Sequence, residues 1–100
     1  MNQLLDSCGK TYADCAELLA NKNIDYAIES NPYKNFEGSL FVGVSVERAI
    51  LVRIMDKISR ISNLLDKEAA VKDESIYDTL IDAINYLAIL KARLEYKTNK

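Results

Sequence analysis

The sequence has no histidine and no tryptophan, one proline, three glycines and two cysteines among its 100 residues. Without histidine there can be no Ser-His-Asp or Cys-His catalysis, no imidazole metal ligand and no default general base. Cys8 and Cys15 stand seven apart. On a helix that is two turns, about 10 Å along the axis, too far for a disulfide. They read as small buried hydrophobes in a reducing compartment. A basic excess is also missing, with 13 basic residues against 15 acidic and a net charge of −2. A duplex-DNA binder that works by neutralising phosphates is therefore disfavoured. The longest charge-free run in the C-terminal half, Ala83 to Leu90, is too short to span a membrane. The first residues carry charges where a secretory leader needs an apolar stretch, so the expected location is the cytoplasm.

What is present is a single domain's worth of helical pattern. The lone proline, Pro32, and two of the three glycines, Gly38 and Gly43, cluster in one short stretch. Helical spacing holds on both sides of it. A first helix is predicted from Asn2 to Ala20, with Leu4, Leu5, Cys8, Tyr12, Cys15, Ala16 and Leu19 as its apolar stripe. Residues 21–43 show no sustained period and read as a long ordered loop with room for one helical turn. Ser45 is a suitable N-cap for a second helix, Val46 to Asp66. Ile50, Leu51, Ile54, Ile58, Ile61 and Leu65 form its apolar face, with Arg53, Asp56, Arg60 and Asn63 opposite and Lys57 at the border. A third helix is predicted from Asp73 to Lys97, apolar nearly all round between Ala83 and Leu90. A helix of that kind needs cover on every side. The expected fold is all-α: three main helices in a bundle completed by homo-oligomerisation. SLFVGVSV is the best strand candidate and reads as a loop leading into the second helix.

The chemistry-bearing feature is DESIYDTLIDAINY. Glu74, Asp78 and Asp82 recur every four residues and Asn85 follows three later, so all four share one strip of a helix. No base lies between Asp73 and Asp82. Such carboxylates repel each other unless a divalent cation sits among them, and Mg²⁺ prefers oxygen ligands completed by water and phosphate. The alternative is a solvated acidic face helped by the helix dipole, which accounts for Asp73 and Glu74 better than for Asp78 and Asp82. Asp56 on the second helix can add a carboxylate, and Arg53, Lys57 and Arg60 beside it suit phosphates. Asp56 and Arg60 are also spaced for a plain surface ion pair. In the loop, Lys22, Asn23, Asp25, Tyr26 and Phe36 offer polar groups and rings that could meet a base, or serve as a lid over the core.

KNIDY (22–26), NPYKNF (31–36), LVRIMDKISRISNLL (51–65) and VKDESIYDTLIDAINYLAIL (71–90) occur in an order that resembles the nucleotide modification associated domain family one, small proteins mostly of phages and prophages. The resemblance covers roughly residues 15 to 92. It extends more loosely to the MazG-like all-α nucleoside triphosphate pyrophosphohydrolases. It implies a homo-oligomeric helical protein acting on a nucleotide with Mg²⁺. Asp78 and Asp82, with Glu74 nearby, would be one acidic pair. Asp56 would belong to the other, and the carboxylates would supply the base. Lys57, Arg60 and Arg53 would hold phosphates, the loop aromatics Tyr26 and Phe36 would face the base, and Lys22, Asn23, Asp25 and Asn85 would complete the nucleotide-binding set. Two positions depart from the pattern: Arg53 stands where a second glutamate is expected, and Ala27 follows DY in place of glycine. The missing acid leaves room for a protein that binds a nucleotide and sequesters it without turnover. A protein-binding role for the helices is a third expectation.

Overall fold

In the computed structural model, residues 2–26, 33–67 and 75–98 are described. Among them every regular element is helical and no strand occurs. The elements are α1 (Asn2–Tyr26), a single turn α2 (Lys34–Glu37), a 3₁₀ turn (Gly38–Val42), α3 (Val46–Leu65) and α4 (Ser75–Thr98). The chain divides into two compact units, Met1–Pro32 and Tyr33–Lys100.

The first unit contains α1, which continues six residues beyond the predicted stop at Ala20. No glycine or proline interrupts residues 21–26, so nothing in the backbone ends the helix there. Thr11 returns its hydroxyl to the Ser7 carbonyl at 2.9 Å, and Leu4, Leu5 and Tyr12 are exposed. The described part of the predicted loop, 33–43, is likewise mostly helical turn. The backbone N–H of Gly43 donates to the Leu40 carbonyl, and its φ of 77° closes the 3₁₀ turn. Gly43 thus sits in the left-handed region that a residue with a Cβ avoids. SLFVGVSV leads into α3 as the sequence suggested, with Ser39 donating to the carbonyls of Phe36 and Val44.

α3 begins one residue after Ser45, whose hydroxyl accepts the Arg48 N–H at 3.2 Å. That bond satisfies one of the donors a helix start leaves free. α3 packs against α4, and this pair forms the body of the second unit. Its core is Tyr33, Val46, Ile50 and Ile54, with Phe36, Tyr86, Ile89 and Leu90 packed against them. Ile50 is fully buried. The outer part of each predicted apolar face stays open. Leu51, Ile58 and Leu65, predicted on the apolar face of α3, are exposed, and so are Leu80, Leu87 and Leu94 of α4. A pair of helices has one mutual seam, so a stripe wider than that seam leaves residues outside it.

Candidate functional site

Toward the C-terminal half of α3, two polar contacts reach α4. Lys57 Nζ lies 3.2 Å from Asp82 Oδ2, with both side chains about one-third exposed. One turn further along α3, Arg60 Nε donates to Thr79 Oγ1 at 3.2 Å, and Thr79 is buried. Because α3 advances as α4 recedes, these contacts set an antiparallel register: Lys57 level with Asp82, Arg60 level with Thr79. The carboxylate expected to bind a cation is thereby met by an ammonium, and one of the predicted phosphate ligands is already oriented by a hydroxyl.

The other candidates fall around this edge or elsewhere. Arg53, Asp56 and Asp78 are exposed on α3 and α4, and Asn85 is buried on α4. Glu74 lies outside the described residues. Lys22, Asn23, Asp25 and Tyr26 belong by backbone to the last turns of α1, not to a loop, and their side chains lie outside the described part. Phe36 is half-buried and meets Tyr86 edge to face, with centroids 6.3 Å apart. Its ring thus contributes to the core. Among the described residues, no group of three or more acidic or cysteine side chains converges closely enough to hold a metal ion. The donors themselves, Asp56, Asp78 and Asp82, are all carboxylates, the hard oxygen chemistry that Mg²⁺ takes.

A second polar cluster, not singled out by the sequence, ties the start of α3 to the end of α4. Arg93 Nε donates to Glu47 Oε1 at 3.1 Å, and Lys97 Nζ stands 3.2 Å from the same oxygen. The Arg93 guanidinium also lies 4.9 Å from the Tyr33 ring centroid and 5.6 Å from that of Tyr96. The Glu47 carboxyl is lowered from 4.5 to about 2. Its own backbone N–H in the first turn of α3 is the main cause; partial burial opposes it, and Arg93 and Lys97 add to the lowering. Glu47 in the first turn was a visible signal. Its partners stand 46 and 50 positions away, which no local spacing reports. All these groups are mutually satisfied, so the cluster is a structural tie.

No protein-family model, no curated protein and no solved structure matches the chain at a significant level. Among the described residues no helix is long and apolar enough to cross a membrane.

Proposed function

We propose that the polar edge of α3 and α4 binds the phosphates of a nucleoside triphosphate, and that the protein is a Mg²⁺-dependent pyrophosphohydrolase of the MazG-like kind. The observation that supports the proposal is the Lys57–Asp82 contact, one cation of α3 beside one carboxylate of α4. The order of the KNIDY, LVRIMDKISRISNLL and DESIYDTLIDAINY segments supports the same reading.

In this proposal Lys57, Arg53 and Arg60 grip the phosphate oxygens, the arginines by paired N–H donors. Asp78 and Asp82, with Asp56 and Glu74, would hold Mg²⁺. When bound, the ion would neutralise the charge that develops as the phosphoanhydride bond breaks. A carboxylate of the same group accepts the proton of the attacking water. Water oxygen adds to the α-phosphorus, the bond to the bridging oxygen breaks, and pyrophosphate leaves with the nucleoside monophosphate retained. Asn85 of α4 is a proposed contact to the base, and the family resemblance assigns the same role to Lys22, Asn23, Asp25 and Tyr26 of α1. Self-association as a homodimer or larger homo-oligomer, a cytoplasmic location and a phage or prophage origin belong to the same proposal. Duplex DNA is not a proposed partner.

A second reading is favoured by the same ion pair. Lys57 already balances Asp82, so the edge is suited to holding a nucleotide without a metal and without turnover, as a sequestering protein would. The test is incubation of the purified protein with each common deoxynucleoside and ribonucleoside triphosphate and Mg²⁺. Pyrophosphate release that disappears in Asp82→Asn supports hydrolysis. Calorimetric binding that survives EDTA, with the nucleotide recovered intact, supports sequestration. Neither turnover nor binding with any of them overturns both readings.

A further inference from the structure

Among the described residues, the basic side chains that reach across the α3–α4 pair are held in two ways. Lys57 meets the Asp82 carboxylate at 3.2 Å, and Arg93 and Lys97 meet the Glu47 carboxylate at 3.1 and 3.2 Å. Arg60 meets a hydroxyl instead, its Nε donating to Thr79 Oγ1 at 3.2 Å. The difference matters to an anion. A carboxylate fixes a cation and also cancels its charge, whereas a hydroxyl fixes it and leaves the charge in place. Among the described residues Arg60 is not paired with Asp56 either, although that carboxylate stands four positions earlier on α3, at ion-pair spacing.

The anchor and the cation also differ in exposure. Thr79 is buried in the seam of the helix pair, while Arg60 is exposed. The bond at Nε uses one of the five guanidinium donors and leaves the two terminal amino groups, the fork that takes two phosphate oxygens at once. A long side chain already held by its neck loses less freedom when an anion arrives. Thr79 does not need the arginine for its own sake, because a helical threonine can satisfy its hydroxyl on the carbonyl one turn back.

We propose that Thr79 is a positioning residue, whose hydroxyl holds the Arg60 guanidinium open toward phosphate while Lys57 is engaged by Asp82. The ligand this arrangement fits is a polyphosphate chain, whose oxygens a fixed fork meets in pairs. The inference rests on the nucleotide reading above and names, within it, the residue that presents Arg60.

The test is calorimetric binding of inorganic tripolyphosphate, which carries the phosphate chain without a base, to the full chain with and without Mg²⁺. Thr79→Val keeps the branched shape and removes the acceptor. It is expected to weaken binding roughly three- to tenfold, the weight of one hydrogen bond, with the urea unfolding midpoint little changed. Thr79→Ser keeps the hydroxyl and is expected within about twofold of wild type. Arg60→Gln is expected to lose about tenfold or more, and in that background Thr79→Val should add nothing. A general structural role for Thr79 would persist without Arg60, so this last comparison isolates positioning. Thr79→Val at wild-type affinity, Thr79→Ser as weak as Thr79→Val, or a Thr79→Val loss that persists beside Arg60→Gln overturns this inference and leaves the nucleotide reading standing. A Thr79→Val chain that loses its helical circular dichroism does the same, since the hydroxyl is then structural. So does a wild type that binds a nucleoside triphosphate but not tripolyphosphate, which moves recognition to the base. A wild type that binds neither tripolyphosphate nor any nucleoside triphosphate overturns both.

Discussion

Lys57 of α3 and Asp82 of α4 stand 3.2 Å apart with side chains 29% and 31% exposed, so the ion pair that marks the candidate site is still in reach of water. This geometry sets what the pair can contribute. Exposed and half-exposed pairs are worth about 0–1 kcal/mol, because water screens the attraction and two long side chains must be held in place. Asp82→Asn and Lys57→Gln are each expected to change stability by less than about 1 kcal/mol, read from urea unfolding midpoints. The double substitution should cost no more than the sum of the singles. Loss of nucleotide binding or turnover in Asp82→Asn then reports on the site, not on folding. A loss of about 3 kcal/mol or more would instead place Asp82 in a tightly closed network.

Glu47 makes a different prediction, because its carboxyl is held at about 2. The unfolded chain binds a proton at ordinary carboxylate pH, near 4.5, while the folded chain does not. Between those values the unfolded state holds more protons, so stability rises with pH. The contribution is fully present above pH 4.5 and is lost as pH falls toward 2. Glu47→Gln should therefore unfold more easily than wild type at pH 7, by about 1 kcal/mol after allowance for solvent screening. The gap should close progressively below pH 4.5. Urea melts of both proteins at pH 7, 5, 4 and 3 check this; a gap that stays constant down to pH 3 contradicts it.

Arg93 meets the Glu47 carboxylate with its Nε and two tyrosine rings with its planar face. A lysine keeps the positive charge but has neither the planar face nor the fixed fork of donors. Arg93→Lys is expected to lose about 1–2 kcal/mol, more than an exposed charge swap would. Tyr96→Leu should remove part of the same stacking and be partly redundant with it. A double-mutant cycle in which the two losses add fully would separate the ring contact from the ion pair.

The sequence pattern located α3 to within one residue because Ser45 and the isoleucine spacing give start and period together. It misplaced the end of α1, where asparagines and an absent apolar stripe suggest a loop. Intrinsic preference differs little among those residues, and only glycine or proline would have compelled a stop. The cations of α3 and the carboxylates of α4 were legible as charge pattern on two helices, but the antiparallel register that brings Lys57, and not Asp56, to Asp82 was not. Long-range partners such as Glu47 and Arg93 leave no periodic mark. The apolar stripes were legible too, yet their width exceeds what one helix pair can cover, so the same residues read as core in the sequence and lie open at Leu51, Ile58 and Leu87.

Gly43 and Gly38 offer a paired test of what holds the start of α3 in place, and with it Arg53, Lys57 and Arg60. A Cβ at either position would meet nothing within 4 Å. Packing is therefore the same for both, and only the backbone differs. Gly43 has φ 77°, where an alanine is strained by about 1 kcal/mol. Gly38 has φ −55° and ψ −26°, a conformation alanine adopts freely. Gly43→Ala is expected to lower stability by about 1 kcal/mol, whereas Gly38→Ala should raise it by about 0.4–1 kcal/mol through the unfolded chain's lost freedom. Thermal or urea melts of the two variants read the difference directly. Equal and opposite-signed shifts of this size tie the entry of α3 to the left-handed turn at Gly43; two variants that move together would show that the turn relaxes without it.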